Sequence, residues 1–521
     1  MQIENRHPTH DVIRATFPRF ETFRLGADGL DDHQTRCQTF GWHRRIPSRS
    51  CLRNVKYPGE LALPWESNYD QRGGFGIIVR DQEATNVGFE STPSGGGGDT
   101  ISLHVRKYDC VQANGGNKRW ECAIAVHPGQ WHWVADRYRE WALGHMVRPV
   151  YPAWFGQSDG YYMCDLMNRR LGFSDFARYF ATRARKLGLL QLQVWGQFTG
   201  HRHGCCGPYW QPSPAYGTLE QFQQMIQQVH AMGLKIGFYM IHDRIDLYHA
   251  RGSHIYGFIP KSAYPPNTEF PTEEFFNRVQ HVSDPAGVKL TYPLSEEDWK
   301  EYHRKLMAHR RDPQANKAPE KWHPVDLNDA AWWEYIRRWA IDKYGLIWRA
   351  DGLYNDVLGV GSTRESYDLR KNQHGHGQWG KGKAGIARTI IESARRKGIS
   401  DYFQIMEGLS DIPGQWCAAA NIGIYLGHSE TMRYTWPDLV IFEGSSGKNA
   451  RRPLLSIDTA WLNGNRFDMR ISNTIFARIV TARASIRDWI YRARFLDSVA
   501  LSCPVPARLF LRREPNATGA V

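Results

Sequence analysis

The sequence predicts an α/β protein in which a (β/α)8 TIM barrel is preceded by an antiparallel β-sandwich domain. Three observations lead there. Residues 1–145 carry short β-type runs divided by Gly-, Asn- and Asp-rich turns, the pattern of an antiparallel sheet or sandwich. From about residue 150 to 500, helical patterns closed by glycine alternate with short apolar strands, which argues for a parallel sheet with helical crossovers. No glycine-rich phosphate loop opens any of those helices, so a barrel with insertions is favoured over a doubly wound sheet.

In chain order, Gly76–Val79, Ile101–Val105 and Trp120–Val126 read as sandwich strands, and a helix from about Trp131 to Leu143 leads out of them. Ser174 is a good N-cap for a helix ending at Gly188, and Leu189–Phe198 follows as a strand. Thr218 caps a helix closed by Gly233, followed by the strand Lys235–Ile241. Asn328 or Asp329 caps a helix closed by Gly345, followed by the strand Asp351–Asp356. The helix Ala384–Lys397 closes at Gly398 before the strand Tyr402–Glu407. Later apolar segments lie near Ile422–Leu426 and Leu439–Phe442, and a long helix covers about Thr474–Ile490. The expected domains are a sandwich over 1–145, a catalytic barrel over 146–500, and a tail over 501–521 that could start a further β domain. An insertion of about Asp246–Asp326 follows a strand end and is expected over the C-terminal face of the barrel, where such folds place active sites.

Composition narrows the function classes. Among 521 residues, 41% are hydrophobic and 23% charged, which excludes wholesale disorder. No apolar run reaches the ~18 residues of a membrane span, and the N-terminus lacks the apolar core of a secretory signal. The net charge of +13 raises the question of a nucleic-acid partner, but Lys and Arg are scattered on helix faces and no nucleic-acid motif accompanies them. With 20 Trp and 24 Tyr, the chain is rich in flat faces suited to stacking on sugar rings. The expected partner is therefore a carbohydrate, with no nucleic acid and no membrane. The nine cysteines form no CxxC pair, and buried free thiols are favoured over a Cys110–Cys122 bridge.

Two carboxylates end barrel strands, Asp356 and Glu407, and adjacent strands would set them across one pocket. A carboxylate after an apolar strand is costly unless paired or used. Glycoside hydrolysis needs such a pair, one to attack or activate water and one to protonate the leaving oxygen; the alternative is a cap or an arginine partner. Asp351 reads as structural. His374 and His376 invite a metal, but no third ligand accompanies them, and contacts to sugar hydroxyls with Trp379 as a stacking face are preferred. Trp195, His201, Tyr209 and Trp210 lie in or beside a polar, aromatic, glycine-rich loop of the kind that binds ligands. The His201/His203 and Cys205/Cys206 group is too compact for standard zinc geometry, so no metal and no cofactor is expected. Asp243 either binds substrate or pairs with Arg244.

Taken together, Tyr57-Pro58-Gly59, Trp133–Asp136, Pro208-Tyr209-Trp210, His230–Gly237 with Tyr239, Asp351–Asp356, His374-Gly-His376 and Glu407 resemble an uncharacterised glycoside-hydrolase-like (β/α)8 barrel family. That family is related to endo-α-N-acetylgalactosaminidases and, more distantly, to the α-galactosidase clan. The resemblance implies a retaining enzyme on α-glycosides, with Asp356 as nucleophile and Glu407 as acid/base. Tyr239 and Tyr354 complete the expected substrate-binding set. It also implies a chain that begins inside the sandwich and stops near the end of the barrel. The alternative function is a non-catalytic glycan-binding protein on a hydrolase scaffold.

Overall fold

The structure is a computed structural model. It describes residues 1–27, 29–38, 42–52, 54–93, 99–166, 171–197, 210–246, 272–282, scattered positions in 297–312, 322–361, 363–368, 377–422, 429–445, 465–469, 474–491, 494–499 and 509–511.

The N-terminal region folds as two facing antiparallel sheets. Five strands run in the order Glu121–His127, Gly74–Arg80, Leu61–Tyr69, His33–Gln38 and Trp42–Arg45; four run in the order Ala15–Phe23, Ile101–Lys107, Val87–Pro93 and Val55–Tyr57. The period of two decides their facing: Ile101, Leu103 and Val105 are buried and meet Phe75, Ile77 and Val79 of the other sheet. Leu61–Tyr69 is buried along its whole length. Its second face is covered by the helix His132–His145 and by barrel residues, in a core joining Trp65, Val134 and Tyr138 to Cys417, Met432 and Tyr434. This shared core ties the sandwich to the barrel.

The barrel is closed, with eight parallel strands in sequence order: Gly160–Asp165, Gln191–Trp195, Lys235–Ile241, Gly352–Asp356, Phe403–Glu407, Ala419–Asn421, Val440–Ser445 and Arg466–Met469. Its lower end is plugged by Trp154 and Phe155, which pack on Phe403 and Phe442. Paired Gly237 and Gly352 leave room for the Phe403 ring, which a Cβ at either position would strike.

Local chemistry explains most boundaries. Thr218 and Gln221 form a reciprocal capping box on Leu219–Ala231, and the Asp329 side chain caps Ala330–Arg337. Gly188, Gly233 and Gly398 take positive φ where their helices end. Three expectations need correction. The helix after the first strand starts at Phe173 with Gly172 at its N-cap, so Ser174 lies inside it. Gly345 does not close its helix, because a π-wound stretch continues to Ile347 and Arg349 makes the left-handed turn. The sixth strand lies at Ala419–Asn421, upstream of the apolar run near Ile422.

The insertion leaves the third strand through Arg244–Asp246, which pairs with Trp322–Pro324 on its return, so both ends lie at the C-terminal end of that strand. The expected long final helix is two, Thr474–Ser485 and Arg487–Ile490, followed by Arg494–Asp497 paired with Leu509–Leu511. Cys110 and Cys122 are unbridged. No helix of the described residues is long and apolar enough to cross a membrane.

Candidate active site

Alternation along each barrel strand sends every second side chain inward, and at the C-terminal end these converge. The lower layer is aromatic. Trp195 packs against Tyr239 at 4.6 Å and Tyr354 at 4.9 Å between ring centroids, and Tyr239 stacks on Tyr354 at 5.8 Å. The Asn421 amide ties this floor to the opposite wall, donating to the hydroxyls of Tyr161 and Tyr354 and to Asp468 Oδ2. Burial pushes the Tyr354 phenol well above its ordinary value, with Glu407, Tyr161, Asp356 and Asp468 adding in the same direction. Tyr354 is therefore a neutral hydroxyl among acidic side chains.

Asp356 and Glu407 stand half-buried at the ends of the fourth and fifth strands, whose register pairs Asn355 with Met406. The Val357 N–H donates to Glu407 Oε2 at 3.0 Å, and the Gly359 N–H donates to the Glu407 carbonyl at 2.8 Å. The turn after Asp356 is thus stitched to the strand that ends in Glu407. Met406 faces the helical layer in the core with Leu409 and Cys417, so it does not wall the Glu407 carboxylate.

The sandwich reaches this same turn. Thr363 Oγ1 donates to the Pro58 carbonyl at 3.0 Å, Lys56 pairs with Glu365 at 2.8 Å, and the Asn86 amide donates to the Arg364 carbonyl at 3.0 Å.

The other expected site residues separate into groups. Trp195, Tyr239 and Tyr354 form the floor below Asp356. Trp210 is fully buried among Trp332, Tyr335 and Trp339 of the helical layer, so it packs rather than offering a stacking face. Trp379 is 3% exposed, flanked by His281 and Arg364, and opens the helix Trp379–Arg396. Asp243 makes a two-pronged pair with Arg244 at 2.6 and 2.8 Å, the local partner that the sequence offered for it. Asp351 is held by His230, Lys235 and the Ile236 N–H at the opposite end of the barrel, as a structural group. His201, Tyr209, His374 and His376 lie outside the described residues.

Sequence reasoning missed Asp165 and Asp468, the inward carboxylates of the first and eighth strands. The rule that found Asp356 would have found them had those strands been recognised. Asp31, Asp32 and Asp70 cluster in the sandwich.

No family model matches the sequence, and no curated protein does either. Solved structures do match the fold. Over 93% of this chain and 78% of the other, the fold superposes on the ligand-free α-N-acetylgalactosaminidase NagBb of Bifidobacterium bifidum with a TM-score of 0.63 at 10% identity. The GalNAc complex of that enzyme gives 0.63 at 11% identity over 94% and 78%. The GH36 α-galactosidase AgaB of Geobacillus stearothermophilus gives 0.55 at 10% identity, covering 92% of this chain and 63% of that one. This chain thus has the glycoside-hydrolase barrel fold found in these α-glycosidases, as a distant relative in structure.

Proposed function

We propose that this protein hydrolyses α-linked glycosides with retention of anomeric configuration, using Asp356 as nucleophile and Glu407 as acid/base. The observation that carries the reading is the placement of these two carboxylates on adjacent strand ends, with Glu407 Oε2 held 3.0 Å from the amide nitrogen that follows Asp356. Neighbouring strands lie about 4.8 Å apart. That spacing favours the ~5–5.5 Å separation of retaining enzymes over the ~6.5–9.5 Å of inverting ones. The α-N-acetylgalactosaminidase and α-galactosidases of similar fold support the α linkage and a galactose-type sugar.

In the first step the Asp356 carboxylate attacks the anomeric carbon as Glu407 gives its proton to the departing glycosidic oxygen, leaving a glycosyl ester on Asp356. In the second step Glu407, now a base, takes a proton from water. That water attacks the anomeric carbon from the vacated side and releases Asp356. The aromatic floor and the neutral Tyr354 hydroxyl shape the pocket below the reacting carbon.

The test uses p-nitrophenyl α-N-acetylgalactosaminide and α-galactoside. Wild type releases the α-anomer first, seen by proton NMR, and Asp356→Asn folds but has no turnover. A β-anomer as first product, or a fully active Asp356→Asn variant, sinks the mechanism. Sugar binding without turnover, unchanged in Asp356→Asn, would leave a glycan-binding scaffold instead.

A further inference from the structure

Val357 is the point where the site departs from ordinary backbone geometry. It sits at φ +52°, in the left-handed region that β-branched residues rarely adopt. That conformation aims its N–H at Glu407 and its carbonyl in another direction. The carbonyl is not left to solvent. The ammonium of Lys383, on the helix Trp379–Arg396, donates to Val357 O at 3.0 Å and to Val360 O at 2.8 Å. Lys383 is 2% exposed, so a buried cation is spent on two backbone carbonyls of one four-residue turn. Buried lysines are rare unless their charge is engaged.

We propose that Lys383 is a positioning residue for the reaction: by clamping the Val357 and Val360 carbonyls it holds the strained turn that delivers the Val357 N–H to Glu407 Oε2. The proposal rests on the hydrolase reading above and deepens it. An N–H can only donate, so the oxygen that meets it must accept. The carbonyl oxygen of a carboxylic acid accepts better than its hydroxyl oxygen, so this contact favours the proton of the acid form on Oε1 and the clamp biases which oxygen faces the leaving group.

The charges facing Lys383 are Asp243 and Arg244 after the third strand, Arg364 after the fourth, and Glu407 on the fifth. Burial is the largest influence and brings the ammonium down to about 8, with the arginines lowering it further and the carboxylates opposing. The clamp is therefore charged below about pH 8 and weakens as the ammonium deprotonates above it.

The experiment compares wild type with Lys383→Met by amide hydrogen exchange and by kinetics on the aryl α-glycosides. Expected in Lys383→Met is faster exchange at Val357, a kcat lower by roughly tenfold or more with KM changed less than about threefold, and loss of the wild-type decline in kcat above about pH 8. Unchanged protection and unchanged kcat in a folded Met variant overturn the proposal and leave the hydrolase reading intact. Wild type without activity on any α-glycoside removes the hydrolase reading, while lost protection at Val357 still upholds the clamp. If the Met variant does not fold, Lys383→Gln takes its place, since its shorter neutral amide cannot hold both carbonyls as the ammonium does. A kcat reduced by roughly threefold or more with faster exchange at Val357 supports the clamped turn, and an unaltered kcat with unaltered protection overturns it.

Discussion

Replacing Asp411 by Asn should change how the stability of this protein depends on pH. Asp411 lies four residues past Glu407 and is fully buried. Its Oδ1 accepts the hydroxyl of Tyr57 from the sandwich at 3.0 Å, and its Oδ2 accepts that of Tyr138 from the linking helix. Burial outweighs those two donors and pushes the carboxyl from 3.8 up to about 7. Between those values the folded protein binds a proton that the unfolded chain has lost. The stabilisation is therefore full below about pH 4 and is lost as pH rises through 7. A gap of about 3 units amounts to on the order of 4 kcal/mol. Asn is neutral throughout, so the stability difference between Asp411→Asn and wild type should move in favour of Asn by up to that amount from pH 4 to pH 8. Glu443, buried and pushed up to about 8, drifts in the same direction in both proteins and cancels in the difference. Urea unfolding at four pH values, followed by tryptophan fluorescence and far-UV circular dichroism, measures it. A difference that stays flat across that range would show that the tyrosine hydroxyls outweigh burial and that Asp411 is ionised at neutral pH.

Gly59→Ala should destabilise the protein by roughly 2–3 kcal/mol, because its Cβ meets the Gly361 carbonyl from a φ of +149°. The same change should lower kcat by disturbing the turn after Asp356; thermal unfolding and kinetics together check it, and wild-type values in both would refute the contact argument. Trp210→Ala should lose about 3–5 kcal/mol of stability while the folded enzyme keeps its KM, since Trp210 fills the helical layer. A large rise in KM at unchanged stability would return Trp210 to the binding site. Glu365→Gln, which removes the partly exposed pair with Lys56, should cost no more than about 1 kcal/mol in the same unfolding assay.

Much of this arrangement was legible without coordinates. Helix and strand alternate in register from Leu189 to Glu407, with positive-φ glycines closing the helices at Gly233 and Gly398, and the strand-end rule picked out Asp356 and Glu407. It failed for Asp165 and Asp468 for a physical reason. Their strands, Gly160–Asp165 and Arg466–Met469, carry tyrosine, arginine and aspartate where an aliphatic run would have marked them. Aromatic content misled in a comparable way: Trp210 and Trp379 have the chemistry of stacking faces, but partners distant in sequence cover them.

By itself, the sequence determined the alternation of elements, the helix caps at Thr218 and Asp329, the hydrophobic facing of the sandwich strands and the carboxylates that close two barrel strands. Those are local properties, set by side-chain period, capping chemistry and the cost of leaving a charge in an apolar run. Only the tertiary structure decided that the barrel closes by pairing its first strand with its eighth and that Asn421 knots the floor to Asp468. It alone decided that Lys383 spends its charge on a strained turn, and that the sandwich holds the loop beside Asp356. Each of these joins residues tens to hundreds of positions apart, and the free energy that selects them exists only once the backbone has brought them into contact.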